Sequence, residues 1–259
     1  MNYLQILNII RIFIKEKIPS SLSPKFFEFE NQIKSLFYIG SNYYCPICNG
    51  QFRKFLPSQY REGLNIVCPR CQSLERHRLL FLYLKMKTNF FKNNLKVLHF
   101  GPAHCLERIF KKLDNLKYIT ADLQAPNAMI KMDITDIKFQ DNIFDVILCS
   151  HVLEHVVDDQ KAMAELFRVL KPGGWAIIQV PIEYNRAKSY EDNKIKTPIE
   201  RKQVFGKDDH VRIYGLDFLN RLKTAGFNVK EDNFVFSLDK HVIVKYKLDI
   251  DEKINFCTK

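Results

Sequence analysis

The chain has 259 residues, of which 46% are hydrophobic, 13% aromatic and 27% charged, so it is long enough for one large domain and a small module and has the composition of a soluble globular protein. No stretch reaches the roughly 18 apolar residues that a membrane span needs, and the apolar residues 3–14 are interrupted by polar ones and are followed by no small-residue cleavage site. We therefore expect a cytoplasmic protein without a transmembrane segment or a signal peptide.

The net charge of +11 is concentrated in the first third of the chain. Residues 1–96 carry 15 Lys and Arg against 5 Asp and Glu, whereas residues 97–259 carry 25 against 24. A basic segment of this kind is typical of a protein with an anionic partner such as RNA, lipid headgroups or a phosphorylated glycan. A lysine-rich composition of the source genome explains it equally well, so nucleic acid and peripheral membrane contact both stay open as partners.

The first forty residues predict two helices. Residues 3–17 carry apolar side chains at helical spacing and few charges on the polar face, which is typical of a helix that packs on protein or lies on a membrane surface. Residues 20–24 have the composition of a linker, and residues 25–37 that of a second helix. We assign residues 1–40 to an N-terminal helical segment.

Four of the seven cysteines form two Cys-x-x-Cys pairs, a spacing typical of a structural zinc site. Each pair places two thiolates on one tight turn, and two such turns close a tetrahedral site around Zn²⁺ that has no position for water. The pattern also fits a reducing compartment better than a disulfide framework. The expected metal ligands are Cys45, Cys48, Cys68 and Cys71.

The segment after the second pair, SLERHR followed by LLFLYLKM, predicts a helix that is apolar nearly all round and therefore buried. Ser73 is placed to cap this helix. Arg76, His77 and Arg78 would then lie near the metal turn, where they hold a phosphate or carboxylate or form a solvated first turn. A zinc-ribbon-like module and this connecting helix together make up residues 41–91.

A strand, a glycine turn and a helix follow the module, and this order creates an anion-binding corner at Gly101, because backbone N–H groups point out of a helix start. The next strand, residues 117–122, ends in a carboxylate about twenty residues later, where doubly wound folds place the acid that binds ribose hydroxyls. Asp122 is thus the expected ribose ligand, with a turn or helix cap as the alternative. A third strand over residues 128–132 leads to Asp133, which could equally cap the turn after it.

Residues 144–175 predict a strand, a loop, a helix, a turn and a second strand. The run 146–149 is apolar and rich in branched residues, as in an interior strand of a parallel sheet. Asp158 and Asp159 can cap the helix, and KPGG ends it before a strand over residues 175–180. Ligands of open α/β sheets bind at the carboxyl ends of strands. The loop residues at which we expect chemistry are His151, Glu154 and His155.

The same loop matches the H-x-x-E-H pattern of inverted zinc peptidases. That motif needs its residues on one helix face, together with a third ligand. Here a strand runs into a loop instead, and no third ligand is evident in the sequence. We therefore reject the peptidase interpretation.

Residues 181–214 form a polar segment that is long for a loop in a compact domain, which is typical of a lid or substrate loop. A capping box at residues 197–200 predicts a short helix inside it that ends at Gly206. His210 or His151 is the candidate general base, and an internally satisfied polar loop is the alternative. The candidates for acceptor binding are Tyr184, His210, Arg212 and Tyr214.

The end of the chain predicts one helix and two strands. The helix covers residues 216–224, and the strands cover residues 227–236 and 240–246. Pairing of these strands would give a closing antiparallel hairpin. The last residues are expected to be frayed.

Three elements of residues 144–175, namely FDVI, EHV and RVLKPGG, resemble the region after the fourth strand of class I S-adenosylmethionine (SAM) dependent methyltransferases. The resemblance extends over about residues 92–247. It implies an α/β fold with a Rossmann-like, mostly parallel sheet that has one antiparallel strand. It also makes residues 92–259 the methyltransferase domain, with the lid at residues 181–214.

SAM is the cofactor that this resemblance implies, with the Asp133 carboxylate accepting from the adenine amine and Ile134 against the ring. Of the family's glycine loop, an acid followed by Gly-x-Gly-x-Gly, only Gly101 is intact, because other residues stand at the remaining positions. Those residues are His99, Ala103 and Cys105. The expected cofactor contacts are Gly101, Asp122, Asp133, Ile134 and Ser150, and Glu154 and His155 join the expected acceptor contacts.

The full layout, a four-cysteine module, SLERHR and then the sheet, looks like a group of bacterial zinc-ribbon methyltransferases. We expect methyl transfer to a small-molecule or sugar acceptor, since the lid is rich in hydrogen-bond donors and has few aromatic residues that could stack on bases. Methylation of an RNA base, guided by the basic zinc module, is the first alternative. A SAM-binding or zinc adaptor protein without turnover is the second, because the glycine loop is degenerate.

Overall fold

The computed structural model describes residues 23–59, 61, 63–125 and 128–259. The helix predicted for residues 3–17 lies outside the described residues. Within the part of the chain that is described, no helix is long and apolar enough to cross a membrane.

The contacts within the chain divide it into two compact units. The cysteine unit contains the described residues up to Arg78 together with residues 240–248, and the sheet unit contains residues 79–239 and 249–259. The C-terminal part of the chain thus contributes one segment to the cysteine unit. The predicted domains, divided at residues 40/41 and 91/92, did not assign residues 240–248 to the cysteine unit, because these residues are far from the rest of that unit in sequence.

The elements are numbered in chain order. The helices of the described residues are α1 (Ser23–Leu36), α2 (Glu75–Lys87), α3 (His104–Phe110), α4 (Asp159–Val169), α5 (Pro198–Phe205), α6 (Phe218–Thr224) and α7 (Lys240–Lys245), with 3-10 turns at Leu153–His155 and Phe234–Ser237. The strands are β1 (Ile39–Cys45), β2 (Gly50–Phe52), β3 (Leu56–Pro57), β4 (Asn65–Val67), β5 (Leu95–Phe100), β6 (Leu116–Asp122), β7 (Ile130–Lys131), β8 (Phe144–Ser150), β9 (Leu170–Gln179), β10 (Tyr190–Glu191), β11 (Arg212–Ile213), β12 (Asn228–Asp232) and β13 (Ile254–Thr258).

The sheet unit is built on seven strands in the order β12-β13-β9-β8-β5-β6-β7. The strands from β5 to β9 run parallel to one another, and β13 is antiparallel to both of its neighbours. This confirms the prediction of a Rossmann-like, mostly parallel sheet with one antiparallel strand. The order places the carboxyl ends of β6, β5 and β8 side by side, where open α/β sheets bind their ligands.

The central strands form where the sequence predicts them. β5 and β8 are continuous apolar runs, and Val97, Leu98, Val146 and Ile147 are 0% exposed. Strands that are covered on both faces need such runs, because neither face meets water. On α4 the Asp158 carboxylate accepts a hydrogen bond from the backbone N–H of the third residue after it, which confirms the predicted cap.

The closing hairpin uses different residues from those predicted. β12 pairs with β13, whereas residues 240–246, the predicted second strand, form α7 and contact β1 in the cysteine unit. The expectation of a frayed end is also wrong, since Ile254 and Cys257 are at most 1% exposed. A short β-branched run takes the structure that its tertiary contacts favour, and for residues 240–246 those contacts lie outside the sheet.

β9 begins earlier than predicted. The KPGG segment, expected as a turn between α4 and this strand, lies inside β9. Leu170 pairs with Phe144, and the register between the strands then shifts, as at a β-bulge. Gly173 has φ +75°, a backbone conformation that glycine adopts without strain. The sequence therefore located the end of the helix but not the start of the strand.

The cysteine unit is small and contains two short antiparallel ribbons, β1 with β2 and β3 with β4. Apart from the cysteines, its described residues include few buried apolar side chains. They are Ile47, Phe52, Phe55, Ile66, Leu74 and Leu248. A core of this size supplies little stability without a further cross-link.

Candidate functional site

Gly101 directly follows β5, at the predicted anion-binding corner. Its φ is +55°, and a Cβ atom at this position would lie 2.7 Å from Val152 Cγ2. A contact that short forces a neighbour to move, and the backbone conformation itself disfavours any residue with a side chain. The corner therefore needs glycine, although the other glycines of the family pattern are absent.

Asp122 ends β6 directly beside this corner. Its Oδ1 accepts hydrogen bonds from the backbone N–H groups of Gln124 and Ala125, both at 2.7 Å. Its Oδ2 would lie 3.8 Å from a Cβ atom on Gly101. One oxygen thus organises the turn, while the other is directed at the Gly101 corner, which fits a carboxylate that binds a hydroxyl there.

Asp133 and Ile134 follow the short strand β7. The Asp133 Oδ1 accepts from the N–H and the hydroxyl of Thr135, both at 2.8 Å, so this carboxylate does stabilise the turn after it. Ile134 is 5% exposed and belongs to the core cluster of the sheet unit. Their contact with an adenine ring stays a prediction.

His99 stands where the family resemblance expects an acid. It is 1% exposed, and its Nδ1 lies 2.7 Å from the Tyr118 hydroxyl. Burial lowers the pKa of His99 to about 3. The imidazole is therefore neutral and engaged in the core, and it does not supply the negative charge that the family resemblance expects at this position.

This buried imidazole gives stability a pH dependence. The pKa of histidine in the unfolded chain is about 6.5, so the contribution of His99 is complete above about pH 6.5 and is lost as the pH falls towards its native pKa. Relative to His99→Gln, we expect the free energy of unfolding to decrease by about 1.4 kcal/mol per pH unit between about pH 6 and pH 4. Urea titrations measure this difference, with the exposed His104→Gln as control. Equal pH dependence of wild type and His99→Gln would contradict the assignment.

The loop after β8 carries a histidine and a glutamate in contact. His151 has φ +57°, a conformation uncommon for residues with a side chain, and functional sites often contain such residues. Its Nδ1 lies 3.2 Å from Glu154 Oε1. His151 Nε2 and Glu154 Oε2 are both buried and without a hydrogen-bond partner among the described residues. The pair thus presents an oriented imidazole nitrogen and a second carboxylate oxygen.

The charge state of Glu154 follows from this contact. The residue is 1% exposed. Burial would raise the pKa of its carboxyl, but the interactions with His151, of which the hydrogen bond is the largest, outweigh burial, and the pKa lies below its ordinary value. The side chain is therefore a buried carboxylate at neutral pH.

His155 and His210 meet next to this pair, with their ring centroids 4.9 Å apart. The Nδ1 of His155 lies 3.2 Å from the backbone oxygen of Asp209 and 3.3 Å from Asp209 Oδ2. His210 is 6% exposed, and burial lowers its pKa. The backbone N–H of Val211 donates to the Glu154 backbone oxygen at 2.9 Å, which joins the lid to the loop.

Arg212 and Tyr214, which we expected to contact the acceptor, have other partners in the structure. Arg212 is 2% exposed, and its guanidinium donates to the backbone oxygens of Leu153, Val156 and Val157. Tyr214 is 0% exposed, and its hydroxyl donates to Asp159 Oδ2 at 2.8 Å. For these two residues the structure therefore supports the alternative prediction, a polar loop whose side chains form hydrogen bonds within the protein. Both residues hold the lid against the 3-10 turn.

Two further predicted residues lie at the edge of the site. Tyr184 is 42% exposed, and the Lys253 ammonium lies 4.8 Å from the centre of its ring. Burial of its remaining surface raises the pKa of Tyr184 to about 12. Ser150 is half-buried at the end of β8 and pairs with Gln179, whose amide donates to the Lys253 backbone oxygen at 2.7 Å. Lys253 was not predicted near this site, because we expected the C-terminal residues to be frayed.

The predicted short helix of the lid is confirmed. Thr197 and Glu200 form both hydrogen bonds of the capping box at the start of α5, and Gly206 ends the helix at φ +82°. The lid therefore has a fixed element of its own between β10 and β11. This helix forms from local signals alone.

The four predicted zinc ligands lie together in the cysteine unit. The Sγ atoms of Cys45 and Cys71 are 3.5 Å apart, those of Cys48 and Cys68 are 3.6 Å apart, and all four lie within 4.8 Å of one another. Tetrahedral zinc with bonds of about 2.3 Å needs sulfur atoms about 3.8 Å apart. Burial would raise the pKa of Cys45, but hydrogen bonds from the other three thiols hold it well below its ordinary value. The arrangement fits a four-cysteine zinc site.

Arg78 has a different role from the one predicted. It is 0% exposed and donates to the backbone oxygens of Ser73, Tyr246 and Lys247 at 2.7 to 2.9 Å, so its guanidinium is not available to hold an external phosphate. The positive charge of its guanidinium also lowers the pKa of Cys45 and so favours the thiolate form. The helix start also differs, because the backbone N–H of the residue after Ser73 donates to His77 Nδ1.

Residues 107–178 match the family model described as a methyltransferase domain. The matched segment contains Asp122, Asp133 and the loop with His151 and Glu154. This segment is therefore similar to methyltransferase domains.

Two proteins named as methyltransferases are similar to this chain over a limited length. The ubiquinone/menaquinone biosynthesis C-methyltransferase UbiE of Idiomarina loihiensis is 32% identical over 83 residues, which are 32% of this chain and 28% of that protein. Phosphoethanolamine N-methyltransferase 2 of Caenorhabditis elegans is 28% identical over 85 residues, 32% of this chain and 19% of that protein. The matched region thus spans less than a third of these curated relatives.

A solved structure supports the fold alone. The cyclase SpnF superposes with a TM-score of 0.50 at 14% identity and covers 83% of this chain and 91% of its own. A protein named as a cyclase therefore shares the architecture. The shared fold therefore does not assign a function to this chain.

Proposed function

We propose that this protein is a SAM-dependent methyltransferase that transfers a methyl group to a small-molecule or sugar acceptor. The observation that carries the proposal is the position of the His151–Glu154 pair. It lies within the segment that is similar to methyltransferase domains, and its loop contacts the Gly101 corner through Val152. A candidate donor corner and an oriented imidazole therefore meet at one edge of the sheet.

The donor side of the proposal rests on three residues. When bound, SAM supplies a methyl group that its sulfonium already activates. Gly101 allows the backbone to approach the cofactor closely, Asp122 Oδ2 accepts hydrogen bonds from the ribose hydroxyls, and Asp133 accepts from the adenine amine. The residues at the corner fit this cofactor, since a side chain at Gly101 would fill the space next to Asp122.

His151 is the general base of the proposed reaction. The Glu154 carboxylate accepts from the Nδ1–H of His151, which leaves Nε2 as the acceptor of a proton from an acceptor hydroxyl or ammonium group. Glu154 is therefore a positioning residue that fixes the tautomer. General base catalysis of this kind contributes about 10²- to 10⁴-fold to the rate.

The cysteine unit has a structural part in the proposal. Zn²⁺ bound by the four cysteines would replace the thiol hydrogen bonds with metal–thiolate bonds and cross-link the two ribbons. Four thiolates give the site a net negative charge, and the buried guanidinium of Arg78 partly compensates it. Because no position is left for water, this metal takes no part in chemistry.

Methyl-labelled SAM tests the proposed function directly. The purified protein is incubated with it and with cell extract separated into metabolite, glycan and RNA fractions, and His151→Asn serves as the matched control. We expect label in the metabolite or glycan fraction with the wild type alone. Label confined to RNA would favour the RNA alternative, and binding of SAM without any transfer would favour the adaptor alternative; both results would contradict the proposal.

A further inference from the structure

Three side chains from two distant segments converge next to the proposed base. Glu154 and His155 belong to the 3-10 turn, His210 comes from the lid, and one possible ligand atom from each lies within 4.8 Å of the others. Glu154 Oε2 and His210 Nε2 are buried and without a hydrogen-bond partner in the described part of the chain. A buried polar atom without a partner is unfavourable, because it has lost its hydrogen bonds to water. Two such atoms on side chains of one cluster indicate a ligand that binds both.

We propose that Glu154, His155 and His210 bind a divalent transition-metal ion. Two histidines and one carboxylate are the ligand set of catalytic zinc sites and of non-haem iron sites. Of these two metals, Zn²⁺ needs no redox partner, so Zn²⁺ is the ion that we expect at this site. The site is distinct from the four cysteines, which lie in the other unit.

The surroundings of His155 match those of a metal ligand. Its Nδ1 faces the backbone oxygen and the carboxylate of Asp209, at 3.2 and 3.3 Å. Histidine ligands commonly donate one ring N–H to such an oxygen, which fixes the ring and leaves the other nitrogen for the metal. The Nε2 of His155 is therefore the expected ligand atom.

The two segments that carry the ligands are fastened together. Val211 donates from its backbone N–H to the Glu154 backbone oxygen at 2.9 Å, one residue after His210. Arg212, fully buried, donates to the backbone oxygens of Leu153 and Val157 at 2.9 and 2.7 Å. These bonds hold the lid against the 3-10 turn, so the ligands need only small side-chain rotations to reach bonding distance of one ion.

The ion would have a role on the acceptor side. Three protein ligands leave at least one coordination position, which suits an oxygen donor of the acceptor. Glu154 would then contact the metal with Oε2 while Oε1 holds His151, so the acceptor oxygen and the base are positioned by one carboxylate. This last step rests on the proposed function, whereas the binding of the metal does not.

Cobalt(II) is the probe that separates the two metal sites. The full-length protein, freed of metal under reducing conditions, is titrated with Co²⁺, and bound metal is counted after gel filtration. A four-thiolate site gives a strong thiolate-to-cobalt charge-transfer band, whereas a histidine–carboxylate site gives only weak d–d bands. We expect two equivalents per chain, of which only one contributes the charge-transfer band.

Variants assign the second equivalent. We expect Glu154→Gln and the partly exposed His155→Asn each to lose one equivalent while the charge-transfer band stays, and Cys48→Ser to lose that band alone. His241→Asn, an exposed histidine of the cysteine unit, keeps both equivalents. Circular dichroism checks that each variant is folded, and His155→Asn remains informative if Glu154→Gln does not fold.

Two results would overturn the inference: a single equivalent in the wild type, or a second equivalent that survives in folded His155→Asn. Failure of the proposed function is recognised separately, because it concerns SAM binding and label transfer. A protein that binds the second cobalt ion but no SAM would keep the metal site and lose the methyltransferase proposal.

Discussion

Replacing His151 by asparagine is expected to lower kcat by about 10²- to 10⁴-fold, because the reaction loses its general base. Asparagine tolerates the φ of +57° at this position, so the backbone of the loop should be retained. SAM affinity should stay within about threefold of the wild type, since Gly101 and Asp122 are unchanged. Steady-state kinetics with the labelled acceptor give kcat, and calorimetry gives the SAM dissociation constant.

The matched control for this experiment is His241→Asn, which removes an exposed histidine outside the sheet unit. Its kcat should equal that of the wild type. If His151→Asn binds SAM and retains kcat within about threefold, the His151–Glu154 pair is not the base and the acceptor ionises without it.

Removing the metal from the four cysteines is expected to unfold the cysteine unit. Zinc binding in small metal-dependent modules provides about 10–16 kcal/mol of apparent free energy, and apart from the cysteines the described residues of this unit include few buried apolar side chains. Amide hydrogen exchange with and without a chelator measures the effect. We expect protection to vanish in β1, β2 and β4 while β5 and β8 stay protected.

A cysteine outside the cluster provides the control. Cys48→Ser should lose the zinc ion of the four cysteines, and its cysteine unit should exchange like that of the chelated protein. Cys105→Ala, in the sheet unit, should keep one zinc ion at the cysteines. Unchanged protection of the cysteine unit in a fully metal-free protein would rule out a structural zinc site.

Much of the sheet could be predicted, because its signals are local. The apolar runs of β5 and β8, the Asp158 cap and the capping box of α5 depend on residues within a few positions of one another. The position of Asp122 follows from the spacing of a doubly wound fold. These features predict the Gly101 corner and the position of Asp122 beside it without any tertiary information.

The features that could not be predicted depend on contacts between residues that are distant in sequence. The C-terminal strand was missed because the branched residues before it had an equally good strand pattern, and only tertiary contacts distinguish the two. Arg78 and Arg212 are arginines in polar sequence, yet each is buried against backbone oxygens, in one case 168 residues away. The approach of His210 to Glu154 likewise becomes visible only when the lid folds back.

Titration of SAM into the wild type and Asp122→Asn by calorimetry measures whether a donor binds at the Gly101 corner, from which every proposed chemical step starts. Asparagine keeps an oxygen for the turn at Gln124 and Ala125 but removes the negative charge that would face the ribose. We expect one SAM per wild-type chain and an affinity about 10- to 100-fold weaker in the variant, as for the loss of a charge-assisted hydrogen bond. Absence of binding to the wild type, or equal affinity in both proteins, would contradict the account.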